Sequence, residues 1–163
     1  MYNFPMIVAM DKRRAIAKSG KIPWYLSDDL KHFKKTTIGK TVVTGRKNYE
    51  TIIEALGEPL KDRSMIVLTR NQDFTAPGCL VIDSLTHLLY VYRHWELFII
   101  GGGEIYSLFL PHTHRLIVTH VETIADGDVF FPEITNDWKA TEILRHEADE
   151  KNEFPFRIVE YTR

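Results

Sequence analysis

The chain has 163 residues, 44% of them hydrophobic and 26% charged, the size and composition of one globular domain that needs no staple for its core. Lys+Arg is 21 and Asp+Glu is 22, and the resulting net charge of -1 excludes a nucleic-acid coat protein and a polybasic membrane binder, leaving room only for a local basic pocket. The single cysteine, Cys79, excludes an intramolecular disulfide and a cysteine-cluster zinc site, and it fits a reducing cytosol.

The first apolar stretch precedes Asp11-Lys12-Arg13-Arg14, the reverse of the charge order in a secretory signal. No run reaches the ~18 apolar residues of a membrane span. A cytoplasmic protein with a single domain over residues 1–163 is expected. In chain order, a strand is predicted over Phe4–Met10, a helix over Ser27–Thr37, a strand over Thr41–Thr44 and a helix over Lys47–Leu56. Strands follow at Met65–Thr69 and Leu80–Ile82, then a helix over Ser84–Arg93 with Ser84 as its N-cap. A strand over Leu97–Ile100, a helix over Gly103–Leu110 and a strand over Leu116–Val121 come next. Trp138–Leu144 and Phe154–Tyr161 flank a polar stretch and are expected to pair as an antiparallel hairpin. Strands alternating with helices define an α/β fold, and the terminal hairpin makes its sheet mixed.

The segment from Pro23 to Lys34 carries the most chemistry. With Ser27 as N-cap, Leu26, Leu30, Phe33 and Thr37 recur at helical spacing and mark a buried face. Asp28 falls on the wet side with Lys31, His32 and Lys35, where it complements the helix dipole. Asp29 falls on the apolar face. An ionised carboxylate there costs several kcal/mol unless it is paired or protonated, so its pKa should be raised, as a proton-donating site requires. A dipole role alone leaves that placement beside Trp24 unexplained.

Three strand ends are phosphate candidates. Leu97–Ile100 runs into Gly101-Gly102-Gly103 and a helix, where glycines permit close backbone approach and free N–H groups face an anion. A tight turn needs only one glycine. Thr44-Gly45-Arg46-Lys47-Asn48 opens another helix with two cations, and Thr69-Arg70 ends a third strand. If the three converge they make a nucleotide groove. By contrast His112, His114 and His120 lack any spacing that completes a zinc site, and no metal is expected. Cys79 has no neighbouring histidine, and Trp95 and Trp138 are expected to pack against the sheet.

Taken together, Pro23-Trp24-x-Leu26-x-x-Asp29-Leu30-x-x-Phe33-Lys34, Gly45-Arg46, Leu60-x-x-Arg63, Ile99-Ile100-Gly101-Gly102-Gly103-x-x-Tyr106, Thr119-His120 and Gly127-Asp128-x-x-Phe131-Pro132 resemble the dihydrofolate reductases of the bacterial chromosomal type. The motifs span nearly the whole chain in family order. The resemblance implies a single domain with a central eight-stranded, mostly parallel mixed sheet, four flanking helices and a C-terminal antiparallel hairpin. It implies NADPH as cofactor, dihydrofolate as substrate, antifolate inhibitors as further ligands, and a monomer. Hydride would pass from nicotinamide C4 to pterin C6 with a proton delivered to N5.

The same resemblance implies the site residues. Asp29 would bond the pterin's amino-pyrimidine edge, Trp24 would hold a bridging water, and Thr119 would bond Asp29. Ile7, Val8, Ile22, Leu30, Phe33, Ile52, Leu60 and Ile100 would bound the substrate, with Arg63 on the glutamate α-carboxylate and Tyr106 beside the nicotinamide. Ala9, Ile16, Gly45, Arg46, Lys47, Asn48, Leu68, Thr69 and Arg70 would contact the cofactor, together with Gly101, Gly102, Gly103, Glu104 and Ile105. Arg46, Thr69 and Arg70 would face the adenosine 2′-phosphate.

Several positions depart from the family pattern. Ala17 stands where the lid usually has Gly and would be strained if that position needs φ > 0. Asn48 replaces a Thr and is expected to donate to phosphate from its side chain, and Ile22 replaces Met or Leu at the lid tip. The second helix is extended by Ile53–Leu56, and Glu58 and Lys61 replace Arg and Pro near the substrate tail. Tyr106 and the lid changes are expected to weaken diaminopyrimidine inhibitors. Two other readings are a related pterin or pyrimidine reductase and a noncatalytic nucleotide-binding module. The first is disfavoured by Asp29, the Pro-Trp pair and Arg63, the second by the carboxylate on an apolar face.

Overall fold

Strands buried on both faces must carry apolar side chains pointing both ways, and the Val- and Ile-rich runs supply them. The computed structural model describes residues 1–163. Its elements are β1 (Met6–Met10), β2 (Ala15–Ala17), α1 (Ser27–Thr37), β3 (Thr41–Gly45), α2 (Arg46–Leu56), β4 (Ser64–Leu68) and β5 (Leu80–Ile82). They continue as α3 (Leu85–Val91), β6 (Leu97–Gly101), α4 (Gly103–Phe109), β7 (Arg115–Val121), β8 (Val129–Phe130), β9 (Lys139–His146) and β10 (Phe156–Thr162). Eight strands form one sheet in the order β5-β4-β3-β6-β1-β7-β10-β9. Pairing is parallel from β5 through β7, and β10 then runs antiparallel to both β7 and β9. The mixed sheet, the four α-helices and the terminal hairpin therefore stand as expected.

Strand alternation sorts the core into two layers. Met6, Val8, Ile66, Ile99 and Val118 point to one face with Leu88 of α3 and Ile105, Tyr106 and Phe109 of α4. Ile7, Val42, Val67, Phe98, Ile100, Ile117 and Ile158 point to the other, where Phe33 of α1 and Tyr49, Ile52 and Ile53 of α2 cover them.

Several local expectations are corrected. Ser27 is the first residue of α1 rather than its N-cap; Leu26 takes that position without a side-chain bond. The missing cap comes from the far end of the chain, because buried Asn152 accepts the Asp28 N–H through Oδ1 at 3.0 Å. Ser84 does cap α3, accepting from the His87 N–H at 3.3 Å. The last strand starts at Phe156 rather than Phe154, just past Pro155, which has no N–H for a ladder. β2 and β8 form a separate antiparallel ribbon too short to leave a periodic signal. Trp138 is buried, but Trp95 lies 58% exposed, edge-on to Tyr92 rather than under the sheet.

Candidate active site

A crevice opens where β1 and β6 part. The two strands align only at Met6 and Ile99, after which β1 keeps its partner β7 as far as Met10 and His120. Ile7 and Ile100 lie just beyond the last shared pair, at the carboxyl side where ligands of open parallel sheets bind. Two carbonyls of the crevice receive side-chain donors: the buried Tyr106 hydroxyl donates to Ile7 O at 2.7 Å, and Asn48 Nδ2 donates to Ile100 O at 3.3 Å.

α1 crosses the layer that contains Ile7 and Ile100 and brings Asp29 to it. Thr119 of β7 donates its hydroxyl to Asp29 Oδ1 at 2.6 Å, a helix-to-strand contact across 90 residues. Burial pushes the Asp29 carboxyl from the ordinary 3.8 up to about 6, and the Thr119 bond holds it back from rising further. A carboxyl poised there can hold a proton near neutrality and exchange it with a bound molecule. The neighbouring His120 faces elsewhere: its Nε2 meets the Tyr161 hydroxyl at 2.8 Å. Burial, assisted by the Arg157 charge, pushes His120 down to about 4, so it is neutral at pH 7.

The apolar face of α1 is only partly buried. Leu26 and Thr37 are sealed, yet Leu30 is 51% exposed. Phe33, Ile52 and Leu60 pack half-buried beside Ile7, Ile100 and Trp24. Val8, Ile16, Leu68, Ile105 and Tyr106 belong to the layer on the other face, while Ala9 stays with the Asp29 side. Arg63 is half-buried at the foot of α1, where Nη1 donates to Thr37 Oγ1 at 3.2 Å and Nε donates to Lys61 O at 2.8 Å.

The three strand ends do converge. Gly45 aligns with Leu68 and Thr44 with Gly101, so the exits of β4, β3 and β6 lie side by side. Thr44 Oγ1 donates to Gly101 O at 2.9 Å and accepts from Asn48 Nδ2 at 2.9 Å. The Asn48 amide nitrogen is thus committed inward, which corrects the expectation of a phosphate donor. Gly101 has φ +108, and a Cβ there would meet the Tyr106 ring at 2.9 Å. A Cβ at Gly102 would stand in open space over the turn. Arg46 pairs along α2 with Glu50 at 2.9 Å, and Lys47, Arg70 and Glu104 are exposed around the same rim.

The lid segment between β1 and α1 is held by two aspartates whose role the sequence reading missed. Buried Asp11 accepts the Arg13 and Ala15 N–H groups through Oδ1 at 2.8 Å each, and the Ala125 N–H through Oδ2 at 2.9 Å. Asp128 Oδ2 accepts the Ser19 N–H at 2.9 Å, and its own N–H donates to Ala17 O at 2.9 Å. Only the Asx-turn habit of an aspartate ahead of a polar run hinted at Asp11. Ala17 is unstrained in β2; the positive φ values of this segment fall on Arg14, Ser19 and Gly20. Glycine is required instead at Gly127, where a Cβ would lie 2.6 Å from Ala17 O. Ile22 is 61% exposed at the lid tip, near Gly20, whose carbonyl takes a long 3.4 Å bond from the Thr51 hydroxyl. His112 and His114 are half-buried on either side of Thr113, whose hydroxyl is sealed against Phe4 O and Phe109 O at 3.0 Å each.

An eight-stranded mixed sheet, parallel strands that diverge at their carboxyl ends and a desolvated carboxyl beside them mark an α/β protein of the ligand-binding class. A family model described as dihydrofolate reductase matches residues 3–163. A dihydrofolate reductase of Staphylococcus haemolyticus is 37% identical over 160 residues, covering 97% of this chain and 94% of that protein. A dihydrofolate reductase type 3 of Salmonella typhimurium is 38% identical over 160 residues, with 97% and 96% covered. The solved structure of a dihydrofolate reductase from Enterococcus faecalis, complexed with NADP(H) and RAB-propyl, superposes with TM-score 0.87 at 34% identity, covering 99% of this chain and 98% of that one. The chain belongs to the dihydrofolate reductase family, which is a family of oxidoreductases.

Proposed function

We propose that the protein reduces 7,8-dihydrofolate to 5,6,7,8-tetrahydrofolate with NADPH, as a cytoplasmic monomer. The observation that carries this is the Asp29 carboxyl, raised to about 6 in an apolar crevice and held by Thr119 at 2.6 Å. Family membership and the relatives' names supply the substrate and cofactor class.

The rim fits a phosphorylated dinucleotide: Gly102 leaves open space over the turn, and Arg46, Lys47 and Arg70 add positive charge. The Gly101–Gly103 turn would take the pyrophosphate, while Arg46, Thr69 and Arg70 would meet the 2′-phosphate and favour NADPH over NADH. When bound, the cofactor supplies the hydride.

The remaining work falls to the chain's own groups. Asp29 orients the amino-pyrimidine edge of the pterin and holds a proton for N5; at a pKa of about 6, about a tenth of it is protonated at pH 7. Thr119 fixes the carboxyl's rotamer. Ile7, Ile22, Leu30, Phe33, Ile52, Leu60, Ile100 and Trp24 exclude water around the ring, which strengthens the Asp29 bonds. Arg63, already oriented by Thr37 and Lys61, pairs with the glutamate α-carboxylate.

The test is absorbance at 340 nm with NADPH and dihydrofolate, against controls lacking either. A fall requiring both is expected, and Asp29→Asn should remove most of it at pH 7 while leaving NADPH binding intact. No fall in a preparation that binds NADPH, or near-wild-type turnover by Asp29→Asn, would overturn the reading.

A further inference from the structure

One cluster of ionisable side chains takes no part in that reaction. It sits on the outer side of the first turn of α1, where Asp28 meets His146 at the end of β9 and Asp149 in the turn before β10. Asp28 Oδ2 lies 3.2 Å and Asp149 Oδ2 3.8 Å from His146 Nε2, and one ligand atom from each residue falls within 4.8 Å of the others. We propose that Asp28, His146 and Asp149 bind a divalent cation of the zinc class, bracing α1 against the β9–β10 hairpin.

The convergence of one ligand atom from each of three separate segments carries the argument. His146 Nδ1 faces the Glu147 carbonyl oxygen, so Nε2 is the ring nitrogen turned toward the two aspartates. Nε2 and the two carboxylate oxygens converge from three segments, and a divalent cation among them would take the place of the His146–Asp28 contact at 3.2 Å. A proton on Nε2 serves the contact of 3.2 Å but not the one of 3.8 Å, which is too long for a hydrogen bond. A zinc-class ion about 2.0–2.1 Å from each ligand implies ligand-to-ligand edges of about 3.3 Å, matched by Asp28 at 3.2 Å from His146 and met by Asp149, at 3.8 Å, after a small side-chain shift. One imidazole with two carboxylates is a donor set for such ions, with water completing the shell.

The surrounding groups orient the ligands as outer-shell partners do. The His146 ring lies flat on Phe156, centroids 5.1 Å apart and planes within 2°. Asp149 spends Oδ1 on the Lys151 and Asn152 N–H groups and on Asn152 Nδ2, at 2.8, 2.9 and 3.0 Å, so Oδ2 is left to face His146. Asn152 Nδ2 also donates to Asp28 Oδ2 at 2.7 Å, while Lys31 approaches only the other oxygen, at 3.8 Å.

The test uses the full-length, tag-free protein after chelator treatment, with Co2+ as spectroscopic probe and Zn2+ as competitor. One equivalent of Co2+ should give visible d–d absorption that Zn2+ displaces, and Zn2+ should raise Tm in a concentration-dependent way. His146→Gln and Asp149→Asn should each weaken binding about tenfold or more. Asp149→Asn keeps the Oδ1 acceptor of the turn, so it decides the matter if His146→Gln fails to fold. Absence of one-to-one binding, or unchanged Co2+ affinity in Asp149→Asn, would overturn the proposal. Because the readouts are metal binding and Tm rather than turnover, the result stands apart from the proposed reductase activity.

Discussion

Replacing Asp29 with Asn should make the protein more stable while it loses turnover. The folded carboxyl titrates at about 6 against 3.8 unfolded, so between these values the folded state binds more protons and stability falls as pH rises. At roughly 1.4 kcal/mol per unit, the two-unit rise corresponds to about 3 kcal/mol, fully felt above pH ~6 and absent below pH ~4. Asn removes that cost and keeps an acceptor for the Thr119 hydroxyl. Its imperfect packing trims the gain to about 1–2 kcal/mol, or roughly 2–8 °C in Tm for a domain of this size. Thermal unfolding of both forms from pH 4 to pH 8 measures it. The gain should be largest at pH 8 and turn toward pH 4 into a loss of about 1–2 kcal/mol, the packing penalty alone; an Asn variant no more stable at pH 8, or a difference independent of pH, would refute the reasoning.

Thr119→Val removes the donor that holds the Asp29 pKa down, so the ascending or descending limb set by Asp29 in the pH–rate profile should move upward by about one unit, a bond to a charged group being worth roughly 1.5–3 kcal/mol. Gly101→Ala forces a Cβ into the Tyr106 ring at φ +108, and urea unfolding should report a loss of about 2–4 kcal/mol together with weakened NADPH binding. Arg63→Gln should raise KM for dihydrofolate about 10- to 100-fold with a smaller change in kcat, measured by steady-state kinetics, because a charge-assisted pair is lost away from the reacting atoms.

Long, chemically loud features were legible in the sequence. The Asp29 position followed from helical spacing alone, and glycines at strand ends pointed to a nucleotide groove, since both signals live within a dozen residues. What stayed hidden depends on distant partners. Asn152 caps α1 across 124 residues, and Asp11 reaches Ala125 across 114, contacts that no local pattern encodes. Leu30 looked buried because periodicity marks an apolar face without saying how much of that face the covering layer reaches. Ala17 sits without strain in β2 opposite Val129, and the close approach that demands a glycine falls instead at Gly127, where a Cβ would meet Ala17 O. Asn48 offered an amide that the sequence alone would turn outward, yet Thr44 and Ile100 hold it inside.

The most direct test of the account is the titration of the Asp29 carboxyl itself, followed by carbon-13 NMR of aspartate-labelled protein with Asp29→Asn as the assignment control. A midpoint near 6 is predicted, rising in Thr119→Val. A midpoint near 3.8, that of a solvated carboxylate, would contradict the placement of a proton-holding group in the crevice.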